Sequence, residues 1–577
     1  MRYISPSNFI MILSGFIGLI VGVAAVIIKN AVHYTQYFVE KIVSTFELNF
    51  LYFLLPIIGI GLTVFFIKYV IKRNVGHGIP SVLYALSKTN GKMDSSNMFS
   101  SVITSAFTVG FGGSVGLEGP TVATGAAFGS NIGIALRLDY KQLIILLGAA
   151  TAAAMAAIFK APIAAVVFAM EVIMIDLTVA SVVPLLIASA TAALTSMFFL
   201  GVGTIYPVHI VESYKMAELP YYILLGIFAG LLAVYFTRVY MFITESFEAM
   251  GGIWKRLLIG GSLLGLIIFF FPSIYGEGFE GINSALAGKT DHVFNNTFYE
   301  YFDGDFLYIS GFILLILLFK VIATSLTFGA GGVGGIFAPS LFLGSNLGLL
   351  FAMIINNFKF ATLSTSHFAL AGMAGLIAAN LHAPLTAIFL IGDLTGGYQM
   401  FIPLMIVSII AYTTVKIFQP NSVYTIQLAK RGELRTHNPD KNILSMMTIN
   451  KVIERNFYTV NANQTLGQLV TVIAKSQRNV FPVVDFENNF IGIIAMDNVR
   501  EIMFNRDLYD TTLVSDLMYC NLEVINVDDK MSDIANKFHK SSHYNIPVVN
   551  NGKYVGFVSR ANVFSTYRKM LKYFSED

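Results

Sequence analysis

The sequence predicts a multi-pass α-helical membrane domain built from two inverted repeats, followed by an α/β tail that is itself a tandem repeat. Three observations predict this class: high bulk apolarity, paired breaks within the apolar runs, and a change of composition near residue 426. Of 577 residues, 55% are hydrophobic and 12% charged, and mean hydropathy is +0.69. That balance excludes an ordinary soluble enzyme, and no catalytic activity is expected. A net charge of +3 is too small to suggest a nucleic-acid partner. The lone Cys520 excludes an intramolecular disulfide and a cysteine-based metal site, and no metal is expected.

Taken in order, the apolar runs Phe9–Ile28, Leu51–Val70, Tyr221–Tyr240, Phe306–Val321 and Phe401–Ile417 are long enough to span or nearly span a bilayer. The first has a single arginine before it and no clear small-residue cleavage site after it, so it reads as a retained helix and not as a signal peptide. Lys68, Lys72 and Arg73 after the second run place that end in the cytoplasm, and with it the N-terminus. Other runs are short or broken by Gly and Pro, around 112–120, 148–162, 329–339 and 372–384. Paired interruptions of this kind mark a transporter's binding site.

The breaks repeat. Gly119-Pro120 with Gly125 matches Ala338-Pro339 with Gly344, and Ala161-Pro162 with Glu171 matches Ala383-Pro384 with Asp393. The first match has an offset of 219 residues and the second 222, which argues for a duplicated membrane half. Such halves commonly face each other with inverted topology and hold the substrate site at their interface. Glu171 and Asp393 read most simply as helix-end caps, and Lys160 and His382 as partnered or cytoplasm-facing helix-end residues.

The tail repeats as well. Phe481-Pro482-Val483-Val484, Ile491-Gly492-Ile493-Ile494 and Asn498 recur as Ile546-Pro547-Val548-Val549, Val555-Gly556-Phe557-Val558 and Asn562. Each unit reads as helix, strand, turn, strand and helix. The expected boundaries are 1–430 for the membrane domain, 431–444 for a linker, and 445–506 and 512–570 for the two tail units. These units resemble tandem CBS domains, which pair through their sheets and often bind adenosine nucleotides. By that resemblance Ser559, Asn498 and Asn562 are the residues a nucleotide would touch. The two asparagines stand where nucleotide-binding members commonly have Asp, and Ala495 lacks the expected hydroxyl, so a structural dimerisation module is favoured and no cofactor is required.

One carboxylate stands out. From Met98 to Leu136 the only ionisable side chain is Glu118, within Gly116-Leu117-Glu118-Gly119-Pro120. An ionisable group at bilayer depth usually faces a watery or protein-lined path and serves transport. Pro120 suits the first turn of a helix, whose free N–H groups and positive dipole end attract anions. Together with Gly76-His77-Gly78-Ile79-Pro80, Gly335-Ile336-Phe337-Ala338-Pro339 and Tyr424, this segment resembles the ion-binding elements of the CLC family of chloride channels and chloride/proton exchangers. Lys320, Thr324 and the run Gly329–Gly335 also fit. The resemblance covers residues 8–430, and a CBS tail is a known attachment in that family.

The resemblance implies a homodimer with one pathway per subunit, embedded in the plasma membrane with both termini cytoplasmic. It implies an anion site formed by His77, Gly78, Ile79, Gly119, Ile336, Phe337 and Tyr424, taking chloride and other small anions. Glu118 would compete with chloride, move aside when protonated, and serve any proton pathway. Three departures bear on mechanism. His77 replaces the usual serine, and Leu117 an arginine frequent in the motif. Val172 stands at the inner proton-transferring glutamate of many exchangers, with Glu171 on a neighbouring face about 100° away. The expectation is therefore a gated chloride channel or uncoupled conductor, with proton-coupled antiport through Glu118 as the alternative. A CBS-regulated divalent-metal transporter is the remote one, lacking the clustered oxygen ligands it would need.

Overall fold

The computed structural model describes residues 5–45, 51–72, 78–173, 179–203, 206, 214–290, 305–397, 399–430, 444, 447–520, 522–541 and 543–575. Two units divide between Leu434 and Arg435. Among the described residues, nine helices are long and apolar enough to cross a membrane, and all five long runs foreseen in the sequence lie within them.

The first half of the membrane unit contains α1 (Pro6–Thr45), α2 (Leu51–Phe65), α3 (Ile79–Lys88), α4 (Asn97–Gly110), α5 (Glu118–Ala135), α6 (Tyr140–Phe159), α7 (Pro162–Glu171) and α8 (Val179–Leu200). The second half repeats the order with α9 (Leu219–Ala249), α10 (Ile253–Phe270), α11 (Phe279–Leu286), α12 (Phe306–Gly329), α13 (Phe337–Asn357), α14 (Thr365–Leu381), α15 (Pro384–Thr395) and α16 (Phe401–Phe418). The helices stop where the sequence breaks. Pro162 and Pro384 open α7 and α15 at positions where a missing N–H costs nothing. Lys160 and His382 end the preceding helices in the left-handed region, at φ 53° and 57°.

Equivalent residues of the halves bond to each other. Gly116 N–H donates to Gly335 O at 2.8 Å, and Gly335 N–H to Gly116 O at 2.7 Å. Ser114 N–H donates to Thr327 Oγ1 at 3.2 Å, while Val333 N–H donates to Thr108 Oγ1 at 3.1 Å. Each of these pairs exchanges residues 219 apart, which requires a local two-fold axis between the halves. The axis passes between Gly116 and Gly335. Ala-rich α6 and α14 are almost wholly buried around it, packed on α5 and α13 respectively. Large apolar side chains such as Ile12, Phe16, Leu194, Phe198 and Leu258 remain exposed, as lipid-facing positions should.

The tail forms two sheets. One orders β2 (Val460–Asn461), β3 (Val480–Val484) and β4 (Phe490–Ala495); the other orders β1 (Ile453–Glu454), β7 (Lys553–Ser559), β6 (Asn545–Asn550) and β5 (Ile525–Asn526). Helix α17 (Leu466–Lys475) precedes β3, α18 (Met531–Lys540) precedes β6, and α19 (Arg560–Ser575) follows β7. The repeat is visible in register, since Phe481 faces Ile494 as Ile546 faces Val558. The two units trade their leading segments. Met447, Ile449 and Val452 pack in the core of the second unit, and Val514 in that of the first. The packing units thus cross the expected boundaries at 445 and 512. The cause is that β1 completes the sheet of the other repeat.

Candidate functional site

The site is assembled where helices stop. After α4 the chain reverses at Gly112, with φ 93°, and after α12 it reverses at Gly331, with φ 101°. A side chain at Gly112 would overlap the Tyr275 ring as well. The segments that follow, 113–117 and 332–336, carry the Gly116–Gly335 bridge and deliver the N-termini of α5 and α13 to one place. Helix N-termini hold four N–H groups without intrahelical partners, so two anion-attracting ends converge on the local axis.

Glu118, the first residue of α5, is 1% exposed. Its carboxylate is within electrostatic reach of its own backbone N–H and of that of Ala338, the second residue of α13. Oε2 has no partner among the described residues. A Cβ at Gly116 would overlap that oxygen, and a Cβ at Gly335 would lie 3.3 Å from it. The glycines flanking the bridge are therefore what leaves room for the carboxylate. The carboxyl group that opens α5 thus sits against the helix end of the opposite half.

Ile79, Gly119, Ile336 and Tyr424 line one cavity of about 1350 Å³, which also reaches Lys68, Lys72, Lys92 and Arg256. The Tyr424 hydroxyl is buried and has no hydrogen-bond partner among the described residues. Ile336 caps α13 and is 2% exposed; Phe337 is fully buried, its ring 5.1 Å from that of Phe159. Gly78, with φ 64°, leads into α3, and a Cβ there would lie 2.8 Å from Gly119. The first motif thus packs directly on the second. His77 lies outside the described residues.

Val172 is 4% exposed and offers no proton acceptor. Glu171 caps the facing helix: its carboxylate accepts from Leu385 N–H at 3.2 Å, Thr386 N–H at 2.8 Å and Thr386 Oγ1 at 2.7 Å. Asp393 returns the contact, accepting from Ala164 N–H at 3.2 Å. Ala164 and Thr386 are 222 apart, as are Glu171 and Asp393, so these are reciprocal caps across the local axis. Lys160 donates to the carbonyls of Gly201 at 2.7 Å and Gly203 at 3.0 Å, a partnered helix-end residue as expected.

Sequence reasoning missed a second carboxylate. Glu277 accepts from Leu117 N–H at 3.2 Å, one residue before Glu118. Its charged neighbours are Glu118, Lys29 and Lys320. Lys320 was singled out by motif, not by charge. It is fully buried, donates to the carbonyls of Ile274 and Gly276 at 3.0 Å each, and lies 4.9 Å from the Phe342 ring centre. The available signal was Gly276-Glu277-Gly278, a carboxylate between glycines like that at Glu118.

In the tail, Asn498 donates to Leu517 O at 3.1 Å and Asn562 to Val452 O at 2.9 Å. Both amides tie down the traded segments. Ser559 donates to Glu454 Oε1 at 2.6 Å, and Glu454 also pairs with Arg478 at 2.9 Å.

The chain matches the family model described as voltage gated chloride channel over residues 59–416, and the CBS domain model over 449–505 and 514–569. It is similar to a putative chloride channel protein ClcB-like of Ralstonia nicotianae, at 29% identity over 65% of this chain and 83% of that one. It is 31% identical to the H(+)/Cl(-) exchange transporter ClcA of Yersinia pestis, over 56% of this chain and 66% of that one. Chloride channel protein CLC-f of Arabidopsis thaliana is 27% identical over 70% of this chain, which spans 57% of that protein. Among solved structures, a slow cyanobacterial Cl-/H+ antiporter superposes with TM-score 0.63 at 23% identity, covering 74% of this chain and 98% of that one. A eukaryotic CLC transporter gives 0.62 at 19% identity, covering 96% and 97%. These two likenesses establish the fold.

Proposed function

The chain belongs to the voltage-gated chloride channel family, and from that premise we propose that it conducts chloride across a membrane along a path gated by Glu118. One observation carries the reading: the Glu118 carboxylate lies at the N-terminal end of α13, beside Ala338. Chloride in a low-dielectric path needs attraction strong enough for entry and weak enough for release, which neutral donors and helix ends provide. Such a site holds one anion at a time. Either the carboxylate fills it, or the carboxylate is protonated and turned aside and chloride fills it. Tyr424, whose hydroxyl has no partner among the described residues, and the N–H groups at the α13 N-terminus, Ile336 and Phe337, are then the chloride donors.

The basic groups at the ends of α2 and around the cavity face the cytoplasm under the positive-inside rule. Lys29 is 23 residues into α1 and so about 35 Å from its start, on the opposite, outer side. We place the protein in the plasma membrane as a homodimer with both termini inside; crosslinking and accessibility labelling test both statements.

For the mode of transport, gated passive conduction is supported by the apolar Val172 and by the commitment of Glu171 to a cap. Proton-coupled exchange is a second reading, favoured by the relative described as an H(+)/Cl(-) exchange transporter. Purified protein in liposomes separates them. A chloride gradient that drives protons uphill in fixed ratio would overturn passive conduction; chloride flux without proton movement supports it. In the tail, the engagement of Asn498, Asn562 and Ser559 in internal bonds supports a regulatory pairing module over a nucleotide site.

A further inference from the structure

The mechanism above leaves Glu277 and Tyr206 unused, although both adjoin the gate. Glu277 lies in segment 271–278, which is strapped onto the gate loop at several points. Ser114 Oγ donates to Ile274 O at 2.9 Å, Gly276 N–H to Gly112 O at 3.5 Å, and Leu117 N–H to Glu277 Oε1 at 3.2 Å. Lys320 Nζ clamps the same segment from α12. Tyr206 is 1% exposed, its ring centre 6.1 Å from that of Phe279, and its hydroxyl has no hydrogen-bond partner among the described residues. Glu118 and Glu277 are both within electrostatic reach of that hydroxyl. A buried hydroxyl with no partner among the described residues, on a ring packed two residues from Glu277, is costly unless it is used or bridged by water.

The geometry points to Glu277 and Tyr206 as the outer proton route to the gate, an inference that rests on the Glu118 reading. A proton from outer water binds the Glu277 carboxylate. It passes to the Tyr206 oxygen, directly or through one bridging water, as the phenolic proton moves on to Glu118 Oε2. The net change is one proton moved from water to Glu118, with Tyr206 restored. The groups facing this route are Lys29 from α1, Lys320 from α12, Glu118 from α5 and Tyr424, which faces Glu118; Lys160 acts on Lys29. Lys29 and Lys320 are the cationic groups nearest the two carboxylates, so protonation of either carboxylate changes the local charge by one unit.

The test records chloride flux through the full-length protein in cells or oriented giant vesicles after a rapid acid step on one face. Comparing E277Q, E277D, Y206F and E118Q, we expect wild type to respond to outer acid. E277Q and Y206F should respond about a hundredfold more slowly, the low end for loss of a positioned proton-transfer group. E277D should recover part of the response, and the response to inner acid should be unchanged in E277Q. A purely structural role would not separate the two faces. If E277Q and Y206F both respond to outer acid like wild type while E118Q does not, the route is wrong and the gate stands. If E118Q itself keeps the wild-type response, the gate reading fails and the route with it. Should E277Q not fold, Y206F and E277D decide by the same comparison.

Discussion

Replacing Glu171 by alanine should destabilise the membrane domain without changing the ratio of proton to chloride movement. Thr386 is fully buried, and both its N–H and its hydroxyl are held by Glu171, at 2.8 Å and 2.7 Å. Leaving buried donors unsatisfied costs about 1–3 kcal/mol. Loss of a carboxylate at the α15 N-terminus adds roughly 0.5 kcal/mol. The Leu385 N–H is wetter, since that residue is 54% exposed, and adds little. The expected total is about 1.5–3.5 kcal/mol, within the range for removal of a charged partner. E171Q keeps an acceptor and should cost about half as much. Thermal unfolding of the purified protein, read beside paired proton and chloride flux in liposomes, checks both parts. An E171A protein of wild-type stability that had lost proton movement would refute the cap and make Glu171 a proton carrier.

Other outcomes follow from the same geometry. G116A places a methyl against Glu118 Oε2 and 2.8 Å from Ala338 Cβ, so the carboxylate should be driven from α13. Chloride flux in G116A should lose most of its pH dependence, measured in liposomes across pH 5–8. Y424F removes a neutral donor from the chloride site and should weaken chloride binding by about 1 kcal/mol, roughly fivefold, by calorimetry. In the tail, burial works against ionisation of Asp529, yet the Lys537 hydrogen bond, the Asn526 N–H and the Lys537 charge hold its carboxyl below the ordinary 3.8. A depressed carboxylate stabilises above its unfolded value, and that contribution is lost as pH falls through the folded one. D529N should thus lower amide protection of α18 at pH 7 by no more than about 1 kcal/mol, with the difference from wild type beginning to shrink near pH 4 and vanishing at lower pH.

The repeats were legible because inverted duplication leaves offsets in the sequence. The spacing of 219 and 222 residues placed Gly116 opposite Gly335 and Glu171 opposite Asp393. Hydrophobic length found the long spans, and proline found the starts of α7 and α15. Spacing did not reveal that the caps are swapped, with Glu171 serving α15 and Asp393 serving α7, because that depends on where the axis falls. Glu277 and Lys29 were hidden for a similar reason. They are 248 residues apart and come within electrostatic reach of each other only when segment 271–278 folds over the gate loop. In the tail the strand repeat was plain, whereas the trade of leading segments was not, since Val452 and Val514 are apolar and suit either core.

The central claim is that Glu118 and chloride exchange places at one site. Chloride flux through wild-type and E118Q protein in liposomes, measured from pH 5 to pH 8, tests it most directly. The account predicts that wild-type flux varies with pH and that E118Q flux is independent of it, with no proton movement. Equal pH dependence in both proteins would contradict it.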